Sequence, residues 1–162
     1  MQEAHVAFFD RLRRLVPGTP DADPFTRGVR ELDRGRLDAA EAAFREALGR
    51  ARTAAGAAAV RNKLAIVAVR RLDRDAAVEQ LILALEADPR SAAAITTLGN
   101  LLLEDGDIDE AIVHYEAALR IDDRYAPAYH NLGVALHRSG RRGEAVRMLR
   151  QATRIEGRMI RR

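Results

Sequence analysis

The chain has 162 residues and a formal net charge of +3, with 48% hydrophobic and 31% charged residues. These proportions are typical of one soluble folded domain, and they exclude a disordered or membrane-embedded chain. There are 31 alanines but no tryptophan, and only four Phe and three Tyr residues. A core with so few large side chains requires closely approaching helices, which argues against a β-sandwich or β-barrel. The absence of cysteine excludes disulfides and cysteine-ligated metal sites.

The first predicted element is an amphipathic helix within residues 1–16. Its apolar side chains are Phe8, Phe9, Leu12, Leu15 and Val16. Glu3 and Asp10 interrupt the apolar stretch that a secretory signal would need. The longest uncharged run, residues 91–103, is too short to cross a bilayer. We therefore expect a cytoplasmic protein without a membrane span. Residues 1–20 are predicted to cap the domain that follows, or alternatively to be a decayed half-repeat.

A period of 34 residues relates the remainder of the chain. The units are 21–54, 58–91, 92–125 and 126–159, which together form a single domain over 21–159, with 55–57 inserted and 160–162 as a basic tail. Each unit has a small residue at one place in its first half and another in its second half, as two closely crossing helices require. These residues are Gly28, Ala65, Gly99 and Gly133 in the first halves, and Ala40, Ala77, Ala111 and Ala145 in the second halves.

Each unit is therefore predicted to be two helices joined by a tight turn. Gly35, Gly106 and Gly140 occupy the turn, where a left-handed backbone conformation ends the first helix and glycine adopts it without penalty. Leu72 replaces this glycine in the second unit. We expect that hairpin to be shaped differently or lengthened.

The most regular unit carries a recognisable pattern. It is Tyr129-x-x-Leu132-Gly133-x-x-Leu136, followed by Gly140, Ala145, Leu149 and Ala152. This pattern resembles the tetratricopeptide repeat (TPR), and the resemblance covers residues 58–159, or 21–159 with the degenerate first unit. It implies an all-α fold, a right-handed α–α superhelix of about four helix-turn-helix units with an N-terminal capping helix. In this family the first helix of each unit lines a concave groove.

Two features are predicted where helices begin. Pro24 stands where the repeat family has a large residue early in the first helix, so the first helix of that unit is expected to begin late. Asp38 with Glu41, and Asp107 with Glu110, have the spacing of capping boxes that open the second helices.

The resemblance also implies a site for an extended peptide or helix of a partner protein, held by polar groove side chains. Asn100 and Asn131 match asparagines that some family members use to hold peptide. Thr96 stands where a full carboxylate clamp needs a basic residue. The groove is expected to expose Asn62, Lys63, Ile66, Arg70, Thr96, Thr97, Asn100, Glu104, His130, Asn131, Val134, His137 and Arg138.

Opposite charges are concentrated in neighbouring units. Residues 99–123 contain eight acidic residues and one arginine, a net charge of −7, whereas residues 138–162 contain nine arginines and two glutamates, a net charge of +7. We expect these blocks to pair within the chain across the unit boundary. The alternative is a structural scaffold that self-associates through its solenoid ends or charged faces. Nucleic-acid binding by the Arg-rich fourth unit is a minor alternative, disfavoured because no aromatic side chain is interleaved to stack bases.

Residues suited to catalysis or metal binding are few. Ser91 and Ser139 are the only serines and lie at predicted helix boundaries or turns. His130 and His137 are two helical turns apart and would need a third ligand, such as Glu104, to hold zinc. We therefore expect no enzyme, no metal and no cofactor. The predicted function is a protein–protein interaction module or scaffold of bacterial type.

Overall fold

A computed structural model describes residues 23–159 of the chain. The capping helix predicted over 1–20 and the basic tail 160–162 lie outside the described residues. The described part consists of α1 (Pro24–Asp33), α2 (Leu37–Arg50), α3 (Ala54–Arg70), α4 (Arg74–Ala87), α5 (Ala92–Asp105), α6 (Ile108–Ile121), α7 (Ala126–Arg138) and α8 (Arg142–Met159). It contains no strand, and none of its helices combines the length and apolar character needed to cross a bilayer.

The helices pack in successive pairs. The most extensive packing joins α1 to α2, α3 to α4, α5 to α6, and α7 to α8. The second helix of each pair also contacts the first helix of the next pair, and successive first helices touch one another. The all-α solenoid expected from the sequence is therefore confirmed. The extra residues 55–57 lie in the first turns of α3, which is 17 residues long where α5 has 14.

One position in each pair sets how closely the two helices approach. Phe44, Leu81 and Tyr115 are almost completely buried and lie 34 or 37 residues apart, at the same place in α2, α4 and α6. A Cβ added at Gly99 would lie 2.8 Å from the ring of Tyr115, and one added at Gly28 would lie 2.5 Å from the ring of Phe44. Small residues on the first helices therefore accommodate a single large knob from the second helices.

The turn at Leu72 has the same shape as the glycine turns, so the expectation of a different or longer hairpin was wrong. Leu72 has φ +63°, close to the +72° of Gly35, and is the only non-glycine residue with positive φ among residues 23–159. The amide of Asp73 donates to the carbonyl of Ala68 at 3.0 Å, which closes the turn as in the other hairpins. The Leu72 side chain is 92% exposed and has no core contact to compensate.

The helix starts differ in part from expectation. α1 begins late, at Pro24, and the Asp23 carboxylate accepts a hydrogen bond from the amide of Thr26. The predicted capping boxes are absent, because no side chain caps the start of α2 or α6. In α2 the carboxylate of Asp38 instead binds the guanidinium of Arg71.

Candidate partner-binding groove

The first helices α3, α5 and α7 carry all thirteen side chains predicted to line the groove, and we call the surface they form the partner groove. These side chains differ in exposure. Arg70, Glu104, His130, His137 and Arg138 are exposed, Lys63, Ile66, Asn100, Asn131 and Val134 are half-buried, and Asn62, Thr96 and Thr97 are buried.

The expectation of exposure was wrong for the three buried side chains. The hydroxyl of Thr96 donates to the carbonyl of Ala92 at 2.8 Å, and that of Thr97 donates to Ala93 at 3.0 Å. These bonds to their own helix satisfy the hydroxyls and remove them from the surface. Asn62 is only 4% exposed, and its Oδ1 atom has no hydrogen-bond partner among the described residues.

A hydrogen-bonded network centred on Asn100 joins α5, α6 and α7. The Oδ1 atom of Asn100 accepts from the hydroxyl of Tyr115 at 2.9 Å and from the Nδ2 atom of Asn131 at 2.7 Å. A carbonyl oxygen has two lone pairs, so these two bonds use its acceptor capacity. Both N–H donors of Asn100, and the Oδ1 atom and one N–H of Asn131, make no hydrogen bond within residues 23–159.

The state of Tyr115 fixes the direction of this network. Burial raises the pKa of Tyr115 to about 12, with smaller opposing effects from Arg138, which lowers it, and Glu104, which raises it. The phenol is therefore protonated at neutral pH and donates its hydrogen to Asn100. This orients the amide of Asn100 with its N–H groups away from the tyrosine.

Sequence reasoning found Asn100 and Asn131 but missed Tyr115, because Tyr115 occupies a core position of α6. A signal was available. The equivalent residues of the other units are Phe44, Leu81 and Leu149, so Tyr115 alone carries a hydroxyl at this position. Buried tyrosine hydroxyls require a partner, which the groove asparagine supplies.

Two groove arginines hold adjacent units together. Arg70 donates to the carbonyl of Leu32 at 2.6 Å, and Arg138 donates to the carbonyl of Leu103 at 3.2 Å. These two positions are equivalent in the repeat, and each arginine bonds the C-terminal end of the preceding unit's first helix. Glu104 stands at the corresponding place in α5 and cannot donate such a bond.

Among the described residues, the opposite charge blocks of the third and fourth units form no ion pair with each other, so the expected direct pairing is not seen there; Arg161 and Arg162 lie outside the described residues. Arg141, just before α8, instead binds Glu144 in the first turn of that helix through two bonds of 2.7 and 2.8 Å. These bonds chiefly raise the pKa of Arg141, with weaker contributions from Glu116 and Asp109 of the third unit.

The ion pairs that do cross unit boundaries lie earlier in the described chain. Arg71 binds both Asp38 and Glu41 of the first unit, and Arg74 binds Asp105 of the third. The described residues contain no group of three His, Asp or Glu side chains placed to hold a metal ion.

The fold and the groove define a class of protein, the helical-repeat interaction modules. A family model described as TPR repeat matches residues 99–140, and one described as tetratricopeptide repeat matches residues 127–155. Residues 99–155 therefore match tetratricopeptide repeats, which are in general protein–protein interaction modules.

Solved structures of other proteins share the fold. MamA aligns with a TM-score of 0.61 at 22% identity over 95% of this chain and 88% of its own. The pilF protein of Pseudomonas aeruginosa aligns with a TM-score of 0.66 at 24% identity over 82% of this chain and 59% of its own. YrrB, described as a TPR protein with an unusual peptide-binding site, aligns with a TM-score of 0.56 at 24% identity, covering 96% of this chain and 78% of its own. No curated protein is similar enough in sequence to count as a relative.

Proposed function

We propose that the partner groove binds an extended peptide segment of another protein, with Asn100 and Asn131 as its central contacts. The observation that carries the proposal is the network of Asn100, Asn131 and Tyr115, which holds two side-chain amides in fixed positions with hydrogen-bonding groups unused. The description of YrrB as a TPR protein with a peptide-binding site gives further support. We expect the protein to act in the cytoplasm and to have no catalytic activity.

The chemistry of these amides matches that of a peptide backbone. An extended peptide presents N–H and C=O groups along its length. The free N–H groups of Asn100 suit a peptide carbonyl, and the free Oδ1 of Asn131 suits a peptide N–H. Because Tyr115 and Asn131 already hold Asn100 in place, binding costs little side-chain entropy.

The surrounding side chains provide selectivity. His130, His137 and Arg138 are exposed on α7, so this end of the groove favours acidic or polar peptide side chains. Glu104 is exposed on α5 and favours a basic side chain. The half-buried Ile66 and Val134 add small apolar contacts.

The test uses Asn100→Asp, which keeps the oxygen that accepts from Tyr115 and Asn131 but replaces the free N–H groups with a second acceptor. Binding is measured by fluorescence anisotropy on peptides selected from a random display library with the native protein. We expect an affinity loss of about tenfold or more, because a hydrogen bond worth about 1 kcal/mol is replaced by repulsion.

The matched control is Gln80→Glu, the same amide-to-carboxylate change on α4 outside the groove. Circular dichroism checks that both variants keep their helix content. Unchanged peptide affinity in the folded Asn100→Asp protein, or equal losses in the two variants, would contradict the groove proposal.

A further inference from the structure

The last helix presents an apolar face that is covered in the preceding unit. An open, nearly flat patch on α8 is formed by Val146, Leu149, Arg150, Thr153 and Arg154, which we call the basic end face. Val146 is 45% exposed. Its equivalent in the third unit, Ile112, is only 5% exposed because α7 and α8 pack against it. Nothing within residues 23–159 covers the basic end face.

The charges of this face restrict what can occupy it. Arg150 and Arg154 border the apolar side chains of this patch, and neither takes part in an ion pair among the described residues. A stable occupant must therefore bring apolar side chains to Val146 and carboxylates to the two guanidinium groups.

A second exposed face of the same chain has the complementary character. An open patch on α4 is formed by Arg74, Asp75, Val78, Glu79, Ile82 and Leu83, which we call the acidic side face. Ile82 is 53% exposed. Arg74 is already bound to Asp105, whereas Asp75 and Glu79 form no ion pair within the described part of the chain. Two unpaired carboxylates thus border an exposed apolar patch.

We propose that this protein associates with a second copy of itself, in which the basic end face of one copy docks on the acidic side face of the next. Apolar contact between Val146 and Ile82 would be bordered by ion pairs of Arg150 and Arg154 with Asp75 and Glu79. Since the two faces differ, the contact is head-to-side, and a pair of copies keeps one face of each kind unused: the acidic side face of one copy and the basic end face of the other. Such contacts grow into chains or close into rings.

This association is independent of the peptide proposal. Both faces lie on second helices, whereas Asn100 and Asn131 lie on the first helices α5 and α7. Assembly therefore leaves each partner groove open and multiplies the number of grooves in one particle, which raises avidity for a partner with repeated segments.

The test measures molar mass by light scattering after size exclusion, from micromolar to several hundred micromolar protein. The native chain is expected to rise with concentration from its monomer mass of 17.9 kDa to at least twice that value. The increase should be lost between about 50 and 500 mM NaCl, because the Debye length falls from ~14 to ~4 Å.

Charge exchange identifies the two faces. Two double variants should each keep the protein monomeric. One combines Arg150→Glu with Arg154→Glu, and the other combines Asp75→Asn with Glu79→Arg. An equimolar mixture of the two variants should assemble again, because every contact then joins opposite charges. Asp75 is changed only to Asn because it lies in the first turn of α4, where a cation would destabilise the helix.

Arg90→Glu with Arg124→Glu is the matched control for the double arginine variant, since it changes the net charge by the same amount at exposed loops outside both faces, and it should assemble like the native chain. All the altered side chains are exposed, so the variants should retain the native helix content. Val146→Ser is a second, uncharged variant expected to weaken assembly about tenfold through lost apolar burial. A native chain that stays monomeric throughout, a mixture that fails to assemble, or a control that loses assembly would each overturn the proposal.

Discussion

Replacing Leu72 with glycine is expected to stabilise the protein. Leu72 has φ +63°, and a non-glycine residue in this left-handed region costs about 1–2 kcal/mol. The side chain is 92% exposed, so its removal sacrifices almost no apolar burial. Glycine adds freedom to the unfolded chain, which offsets roughly 0.5–1 kcal/mol of the gain. The net increase in the free energy of unfolding is therefore about 0.5–1 kcal/mol.

Urea unfolding followed by far-UV circular dichroism measures this change in the free energy of unfolding directly. In thermal unfolding, the melting temperature should rise by roughly 1–4 °C for a chain of this length. Leu72→Ala is the informative control, because it removes the exposed side chain but keeps the Cβ atom that opposes positive φ. If Leu72→Ala stabilised as much as Leu72→Gly, or if Leu72→Gly were neutral or destabilising, strain at this turn would not be the reason.

Two further predictions concern the helix crossing and the buried phenol of the third unit. Gly99→Ala should destabilise by about 1–3 kcal/mol in urea unfolding, because its Cβ would lie 2.8 Å from the ring of Tyr115. Gly49→Ala, in a helix with nothing within 4 Å of the added Cβ, should instead be neutral or stabilising by up to about 1 kcal/mol. The raised pKa of Tyr115, about 12 against 10 in the unfolded chain, means that the unfolded state loses its proton first as pH rises. Stability should therefore fall between pH 10 and 12, and this fall should be smaller in Tyr115→Phe; equal slopes in the two proteins would show that this phenol does not contribute.

The fold could be predicted from the sequence because its determinants repeat. One helix-crossing geometry recurs with the period of 34 residues. It is the reason for the small residues at Gly28, Gly99 and Gly133. The turn at Leu72 could not be predicted in this way. Leucine disfavours the left-handed conformation, but the packing of α3 against α4 and the bond from Asp73 to Ala68 impose it. Tertiary structure overrides the local preference at this residue.

The groove could be predicted only in part. The position of a residue along a helix indicates which side of the helix it faces. On this basis the sequence correctly located Asn100 and Asn131 on two helices that lie side by side. It does not indicate the rotamer, and the hydroxyls of Thr96 and Thr97 turn back onto their own helix. Net charge gave the sign of each block but not the partners of its members. The ion pairs of Arg71, for example, depend on which faces of α2 and α3 meet.

The packing order of the helices has a consequence for how the chain folds. In the described residues every helix touches only helices one or two places away along the chain. Few contacts therefore require distant segments to find each other, and the loop-closure entropy of each step is small. Such chains fold quickly and can nucleate in any unit, with stability spreading between neighbours. Damage to one unit is accordingly felt most by the units beside it.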